Sequence, residues 1–285
     1  MKSVYISSFA FSNREIDAIL RTCQAKGIGN LELGSSVAFD RDIRKKIIKA
    51  AKSMKLLLHN YFPAPERPFV LNLASPDKDS LKRSKNLVLK AVEISSEIEA
   101  SIFSFHAGFS YVAEAQLLGK EKQKHLKRFP IGEAEKIFEN SVFELSAKAE
   151  LRGVKLLVEN NVILSSSLDR GINKTCLMAD ISNSLFFLKR FKEIGVGLLL
   201  DTGHLQVSAK VLGFNKNDFV RDCSKYVGAL HVSENNLELD QNLPIGKNSW
   251  AIEVIKEFSD KPITVEVGQN IDAAISSANL INILN

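Results

Sequence analysis

The sequence predicts an α/β fold in which one domain, residues 1–285, forms a single (β/α)8 barrel. Two observations support this prediction. Short apolar runs alternate eight times with longer amphipathic stretches, and no linker, repeat or shift in composition interrupts the alternation. The apolar runs are nearly continuous, as expected of parallel strands that are covered on both faces. A doubly wound open sheet is the structural alternative, but it gathers side chains from fewer strand ends.

The predicted strands are rich in leucine and β-branched residues, which favour extended backbone. They are Val4–Ser8, Asn30–Leu33, Lys55–His59, Ser101–His106, Val154–Glu159, Val196–Asp201, Val227–Val232 and Pro262–Val267. The first predicted helix follows Ser12, which has capping-box spacing to Glu15. The other helices are Asp40–Ser53, Asp77–Glu97, Gly132–Leu151, Ser182–Phe191, Asp218–Tyr226, Trp250–Phe258 and Asp272–Leu284. Three glycines after helical patterns suit left-handed C-caps: Gly27, Gly153 and Gly195.

Polar side chains at the ends of the predicted strands are the strongest functional signal. Four histidines and three carboxylates lie at or just beyond the C-terminal ends of six strands: His59, His106, Glu159, Asp201, His204, His231 and Glu266. In a parallel barrel these ends converge on one face, beneath the loops that build substrate pockets. The longer predicted loops, 60–76, 107–131, 160–181 and 233–249, lie on that face. Histidine and carboxylate are together typical ligands of divalent metals.

Ligand chemistry predicts a site for one metal ion within this set. Glu159, Asp201, His231 and Glu266 supply three carboxylates and one imidazole, a combination suited to Mn²⁺, Mg²⁺ or Co²⁺. A metal with open coordination positions binds adjacent oxygens of a hydroxy-ketone and stabilises an enediolate. Glu159 and Glu266 come from strands on opposite sides of the barrel mouth. We therefore expect them to be the catalytic residues that remove and return a proton.

Each of these residues also has a purely structural interpretation. A glutamate at a strand end often caps a helix or forms an ion pair, and Asp201 is placed to cap a helix at His204. His59 and His106 are also compatible with turn positions. These interpretations would all have to hold at the same end of one barrel, so a shared site is the stronger prediction. His125 lies in a lysine-rich run and is expected to be exposed.

Composition narrows the class of protein. The 45% hydrophobic and 25% charged content is typical of a soluble globular chain. Three cysteines without paired spacing argue against a disulfide framework and a cysteine-based zinc site. No run approaches the length of a membrane span, so we expect a cytoplasmic protein with no membrane partner. The net charge of +5 is interpreted as a lysine-rich helical surface.

The order of the motifs resembles a known family. They are VLNLAS after His59, FHAG with His106, VEN with Glu159, DTGH with Asp201 and His204, HVSEN with His231, DQNLPIG with Asp240, and VEV with Glu266. This series is similar to the xylose isomerase-like TIM-barrel superfamily. That superfamily contains sugar and sugar-phosphate isomerases and epimerases, and also the endonuclease IV-type apurinic/apyrimidinic endonucleases.

The resemblance implies roles for the polar residues outside the four-ligand set. In the epimerase branch the set Glu159, Asp201, His231 and Glu266 holds the metal. In the endonuclease branch a three-zinc cluster also uses positions like those of His59, His106, His204 and Asp240, so these are expected to bind substrate or a second metal. Asn242 stands where that branch has a histidine, and an amide is a poor zinc ligand, which argues against a third zinc. Lys247 is a candidate contact for a phosphate or carboxylate.

The leading prediction is a divalent-metal-dependent isomerase or epimerase of a sugar or sugar derivative. The alternative is an endonuclease IV-like phosphodiesterase that acts on abasic DNA with zinc. No loop has the arginine- and aromatic-rich composition expected of an element that holds a flipped nucleotide, so a nucleic-acid partner is not expected. The expected partner is a small sugar or sugar phosphate, and a homo-oligomer remains open. A barrel that binds a ligand without turnover, or serves as a scaffold, is a third class.

Overall fold

The computed structural model describes residues 3–112 and 127–284, and it confirms the α/β barrel. Its strands are β1 (Val4–Ser7), β2 (Asn30–Leu33), β3 (Lys55–His59), β4 (Ile102–His106), β5 (Lys155–Glu159), β6 (Gly197–Asp201), β7 (Val227–Val232) and β8 (Ile263–Val265). Every predicted strand agrees with these bounds to within two residues. Glu266 therefore lies one residue beyond β8. His125 and most of the predicted loop 107–131 lie outside the described residues.

Helices follow the strands around the outside of the barrel. Those in the described residues are α1 (Ile16–Lys26), α2 (Ile43–Ala50), α3 (Lys78–Glu97), α4 (Ile131–Glu150), α5 (Ile181–Lys192), α6 (Thr202–Leu212), α7 (Lys216–Cys223), α8 (Trp250–Glu257) and α9 (Ile271–Ile283). Gly27, Gly153 and Gly195 have φ angles of 67°, 68° and 72°, as predicted for left-handed turns. Within the described segments, no helix is long and apolar enough to cross a membrane.

Two features of the helices differ from the sequence predictions. Helix α6 was not predicted, because it starts directly after β6 without a loop. Its residues from Thr202 to Ala209 are all buried, so the segment lacks the polar face that marks an amphipathic helix. The predicted capping box is wrong. Glu15 is the N-cap of α1 but forms no side-chain cap, and its backbone N–H donates to Asn13 Oδ1 at 2.9 Å.

The barrel closes because β1 pairs in parallel with both β2 and β8. Inside it, Leu157, Leu199 and Ala229 form a small buried cluster apart from the main core, here called the inner apolar layer. The layer is tightly packed against neighbouring backbone. A Cβ atom added at Gly228 would lie 2.5 Å from Leu157 Cδ2, so only glycine fits there without a shift.

Two loops at the C-terminal face are joined by Asn72. Its Nδ2 donates to the carbonyl oxygen of Phe109 at 2.8 Å, and its Oδ1 accepts from the backbone N–H of Ala74 at 2.9 Å. The join brings Gly108 against Ala74, where an added Cβ would lie 2.4 Å from the alanine Cβ. The loop after β3 and the loop after β4 therefore form one packed unit.

The Gly108→Ala variant is expected to lose about 1–3 kcal/mol of unfolding free energy, because the rigid Ala74 methyl and its backbone must move. Gly132→Ala is the matched control. Gly132 lies in the first turn of α4 with nothing within 4 Å of an added Cβ, so alanine should leave stability unchanged or raise it by up to about 1 kcal/mol. Urea unfolding followed by circular dichroism measures both variants. Equal stability of the two variants would contradict the close approach.

Candidate metal centre

The strands bring the polar residues together because these residues continue an inward-facing row. Glu159, Asp201 and His231 each lie two residues after a member of the inner apolar layer, and side chains at i and i+2 share one face of a strand. The register places His106 of β4 beside Glu159 of β5, and Asp201 of β6 beside His231 of β7. The apolar layer therefore carries a polar layer directly above it, at the C-terminal face.

Glu159 lies at the centre of this polar layer and is fully buried. Its Oε2 lies 3.3 Å from His59 Nε2 and 3.1 Å from His106 Nδ1. Its Oε1 lies 3.5 Å from Nδ1 of both His204 and His231. Neither oxygen has an aligned hydrogen bond among the described residues. A buried carboxylate without aligned donors is costly, so this arrangement indicates a binding position for a cation.

Four residues form the most complete group of candidate ligands. One atom each from Glu159, Asp201, His231 and Glu266 lies within 4.8 Å of every other. Ligand bonds of about 2.0–2.6 Å place donors around a cation at similar separations. The group thus fits one divalent ion without a large rearrangement. Two smaller groups share its members: His59 with His106 and Glu159, and Glu32 with His59 and His231.

Asp201 has two structural contacts that fix its position. It is the N-cap of α6, with Oδ1 accepting from the backbone N–H of His204 at 2.7 Å. The side chain of Asn160 pairs with its backbone, since Nδ2 donates to Asp201 O at 3.0 Å and Oδ1 accepts from Asp201 N at 2.8 Å. The cap suggested by the purely structural interpretation of Asp201 therefore exists, and Oδ2 remains available at 3.8 Å from His231 Nδ1.

His204 and Asp240 form a second contact zone beside the four-ligand group. His204 Nδ1 lies 2.9 Å from the carbonyl oxygen of Asn160, and this acceptor places the ring hydrogen on Nδ1. His204 Nε2 lies 3.3 Å from Asp240 Oδ2, while the other oxygen of Asp240 is buried without a hydrogen bond among the described residues. The dyad reaches Glu159 through His204 and links the loop after β7 to the site.

Of the remaining predicted residues, His59 lies inside the site and Lys247 lies outside it. His59 is held by Ser104, whose Oγ lies 2.9 Å from His59 Nδ1, and its ring contacts those of His106 and His231. Lys247 is exposed in the loop between β7 and α8, where it forms no hydrogen bond or ion pair with the described residues. In the same loop Asn242 has a φ of 50°, and its carbonyl oxygen accepts from Gly268 N at 2.9 Å.

The histidines fall into a neutral pair and a charged pair. Burial lowers the pKa of His59 to about 3 and also lowers the pKa of His106. Burial opposes charge on His204 as well, but Asp201 and Asp240 raise its pKa well above the usual value. Burial also opposes charge on His231, but the neighbouring glutamates raise its pKa well above the usual value, with Glu32 contributing most.

The carboxylates differ in the same way. Burial raises the pKa of Asp201 to about 8. The nearby His204 opposes this rise, whereas the charges of Glu159 and Glu266 add to it. Burial also opposes ionisation of Glu159, but the surrounding histidines hold the pKa of this carboxyl well below its usual range. In the metal-free cluster the raised pKa values of His204, His231 and Asp201 all favour retention of protons.

Glu32 is a site residue that the sequence analysis missed. It lies on β2, is only 4% exposed, and its Oε1 lies 2.7 Å from His231 Nε2. Its Oε2 accepts from Thr264 Oγ1 at 3.2 Å. The available signal was a glutamate in the middle of the apolar strand NLEL, where a charged side chain needs a partner.

Comparison with known families gives one match over nearly the whole chain. The model described as "xylose isomerase-like TIM barrel" matches residues 17–282. None of the curated proteins matches the sequence significantly. The match spans β2 through β8 and every candidate ligand, and it agrees with the resemblance seen in the motifs.

Solved structures share the fold at low sequence identity. A D-tagatose 3-epimerase-like protein superposes with a TM-score of 0.75 at 18% identity, covering 100% of this chain and 97% of the other. The D-psicose 3-epimerase of Clostridium cellulolyticum H10, solved with D-tagatose, gives 0.69 at 16% identity and covers 100% and 99%. An IolI protein with a bound zinc atom gives 0.67 at 14% identity and covers 99% and 97%. At these identities the likeness establishes the fold.

Proposed function

Because the chain belongs to the xylose isomerase-like TIM-barrel family, we propose that it is a divalent-metal-dependent isomerase or epimerase of a sugar or sugar derivative. The observation that carries the proposal is the group Glu159, Asp201, His231 and Glu266 at the barrel mouth. A D-psicose 3-epimerase is among the structures with the same fold, which supports the substrate class. That residues 1–285 form a single domain remains a prediction.

The four-ligand group fits a resident divalent ion, with Mn²⁺, Mg²⁺ and Co²⁺ the expected choices. The buried, unpaired oxygens of Glu159 are the structural reason, since a cation would satisfy both charge and coordination. When bound, the metal would polarise a substrate carbonyl and stabilise the negative charge that develops next to it. A relative with bound zinc is consistent with a metal site in this fold.

Two carboxylates of the group are candidates for proton transfer, and they differ in exposure. The Glu266 side chain is 19% exposed, whereas Glu159 is fully buried. We propose that Glu266 and Glu159 remove and return the proton on the carbon next to the carbonyl. His106, with a side chain 35% exposed, would bind a substrate hydroxyl, as would the dyad of His204 and Asp240.

The experiment that tests the proposal is solvent-deuterium exchange on a substrate panel. Purified protein is loaded with Mn²⁺, Co²⁺ or Mg²⁺ and incubated in D₂O with ketoses, aldoses and their phosphates. Proton NMR then follows loss of the signal next to the carbonyl. Metal-dependent exchange on at least one sugar supports the proposal. Absence of exchange on every sugar, with metal bound, would contradict it.

Metal binding is expected to strengthen as pH rises toward and through about 8. Since the pKa values of His231 and Asp201 are raised in the metal-free cluster, binding must displace their protons. For each proton released, the metal affinity should rise by up to about tenfold per pH unit. Calorimetric titration of Mn²⁺ at neutral pH, in two buffers of different protonation enthalpy, counts the protons. Binding that releases none would contradict this prediction.

A phosphodiesterase acting on abasic DNA is the second candidate. It is favoured by one observation, the convergence of His59, His106 and His204 on Glu159, which resembles a site for more than one zinc. An abasic-site duplex incubated with zinc-loaded protein in excess tests it directly. Two or three zinc ions per chain together with incision would favour this function. We expect one metal per chain and no incision.

A further inference from the structure

Glu32 is a buried carboxylate for which the proposed reaction has no direct use. It lies on β2, outside the four-ligand group, and is 4% exposed. Burying a carboxylate is costly unless a specific partner compensates. The structure gives two partners, Thr264 Oγ1 at 3.2 Å from Oε2 and His231 Nε2 at 2.7 Å from Oε1. The closer partner is a candidate metal ligand.

The two nitrogens of His231 face different surroundings. Nδ1 faces the four-ligand group, at 3.1 Å from Glu266 Oε2, 3.5 Å from Glu159 Oε1 and 3.8 Å from Asp201 Oδ2. Nε2 faces away from the group, toward Glu32. An imidazole that binds a cation must present a lone pair, so its remaining hydrogen must sit on the other nitrogen. Ligation through Nδ1 therefore requires the hydrogen on Nε2.

We propose that Glu32 is a positioning residue that holds the hydrogen of His231 on Nε2 and thereby turns the Nδ1 lone pair toward the metal. The proposal rests on the proposed metal site. Ligating histidines commonly donate their second N–H to a carboxylate, which fixes the tautomer and makes the ligand more basic. His231 Nε2 has no aligned hydrogen bond among the described residues, and Glu32 Oε1 lies close enough to provide one.

A metal ion bound between Glu32, His59 and His231 is the competing interpretation. It would have to use His59 Nε2, because Nδ1 is held by Ser104 Oγ at 2.9 Å, and Nε2 lies 3.3 Å from Glu159 Oε2, on the side of the four-ligand group. The 2.7 Å between Glu32 Oε1 and His231 Nε2 is also the length of a charge-assisted hydrogen bond. The contacts thus favour a carboxylate–histidine pair.

Metal affinity separates the variants of this pair. Glu32→Ala removes the acceptor and is expected to weaken Mn²⁺ binding about 10- to 100-fold. Glu32→Gln keeps an acceptor oxygen and is expected to recover most of that loss. Glu135→Gln is the matched control, because it removes a half-buried carboxylate on α4 that accepts from Asn183 Nδ2 at 2.7 Å and belongs to none of the candidate ligand groups. Isothermal titration gives the four affinities, wild type included.

The position of the histidine hydrogen provides the readout that a merely structural role would not change. Long-range ¹H–¹⁵N spectra of the zinc-loaded wild type should show His231 metal-bound at Nδ1 and protonated at Nε2. In Glu32→Ala this pattern should weaken or be lost. If that variant does not fold, Thr264→Val replaces it, since it removes the donor to Glu32 Oε2 and should weaken affinity by a smaller factor.

The outcomes separate the positioning role of Glu32 from the proposed function on which it rests. Weaker binding in Glu32→Ala, recovered in Glu32→Gln, supports the positioning role. The positioning role is overturned if the wild type binds metal, Glu32→Ala (or Thr264→Val in its place) binds it with equal affinity, and the Nε2 hydrogen is retained. The proposed function would then still stand. A wild-type chain that binds no metal at this group overturns both.

Discussion

Replacing Asp201 with asparagine is expected to weaken divalent-metal binding by about 100-fold or more, while the metal-free fold remains intact. The change removes a charged ligand, so its effect should exceed the 10- to 100-fold losses seen when only an outer partner of a ligand is removed. Asparagine is as good an N-cap as aspartate, so its Oδ1 can still accept from His204 N and start α6. Metal titration and thermal unfolding measure the two effects separately.

The matched control for this variant is Asp180→Asn. Asp180 caps α5 as Asp201 caps α6, with Oδ1 accepting from Asn183 N at 2.9 Å, but it belongs to none of the candidate ligand groups. It should bind metal as the wild type does. Unchanged affinity in Asp201→Asn would remove Asp201 from the metal site and limit it to a capping role.

Replacing Glu266 with glutamine is expected to lower the rate of solvent-deuterium exchange into a substrate by about 10²- to 10⁴-fold at saturating metal. The amide cannot accept the proton, although its oxygen can still face His231 Nδ1, which lies 3.1 Å from the native carboxylate. Saturating metal is needed because Glu266 is also a proposed ligand. Proton NMR in D₂O gives the exchange rate, and titration gives the metal affinity.

Glu159→Gln should abolish epimerisation, because a proton removed on one face of the substrate carbon must be returned on the other. Glu238→Gln provides the control. Glu238 is an exposed carboxylate on the loop after β7, so this variant should catalyse exchange at the wild-type rate. An unchanged exchange rate in Glu266→Gln, or full epimerisation in Glu159→Gln, with metal bound, would show that the proton-transfer assignment is wrong.

The fold could be predicted because its signals are local. Each strand is a short apolar run, and each glycine after a helix marks the left-handed turn that ends it, as at Gly27. The candidate ligands could be named because parallel strands place their C-terminal ends together, whatever the details of packing. Neither inference required knowledge of which side chains touch.

The missed features depend on contacts that no local pattern contains. Glu32 precedes Thr264 by 232 positions, and only closure of the barrel between β1 and β8 brings them together. Asn160 supports Asp201 through two hydrogen bonds between its side-chain amide and the Asp201 backbone, and the pairing of β5 and β6 brings them together. Helix α6 escaped prediction because burial on every side of its first turns removed the amphipathic signal.

The order of the ligands along the chain makes the metal a probe of when the last strand docks. The four ligands end or follow β5 through β8, so the full group exists only after β8 has docked against β7. A chain shortened before β8 would keep three of the four ligands yet leave β1 and β7 as open edges. Stopped-flow mixing of metal with refolding protein would therefore time the docking of β8, because tight binding can begin only when all four ligands are in place.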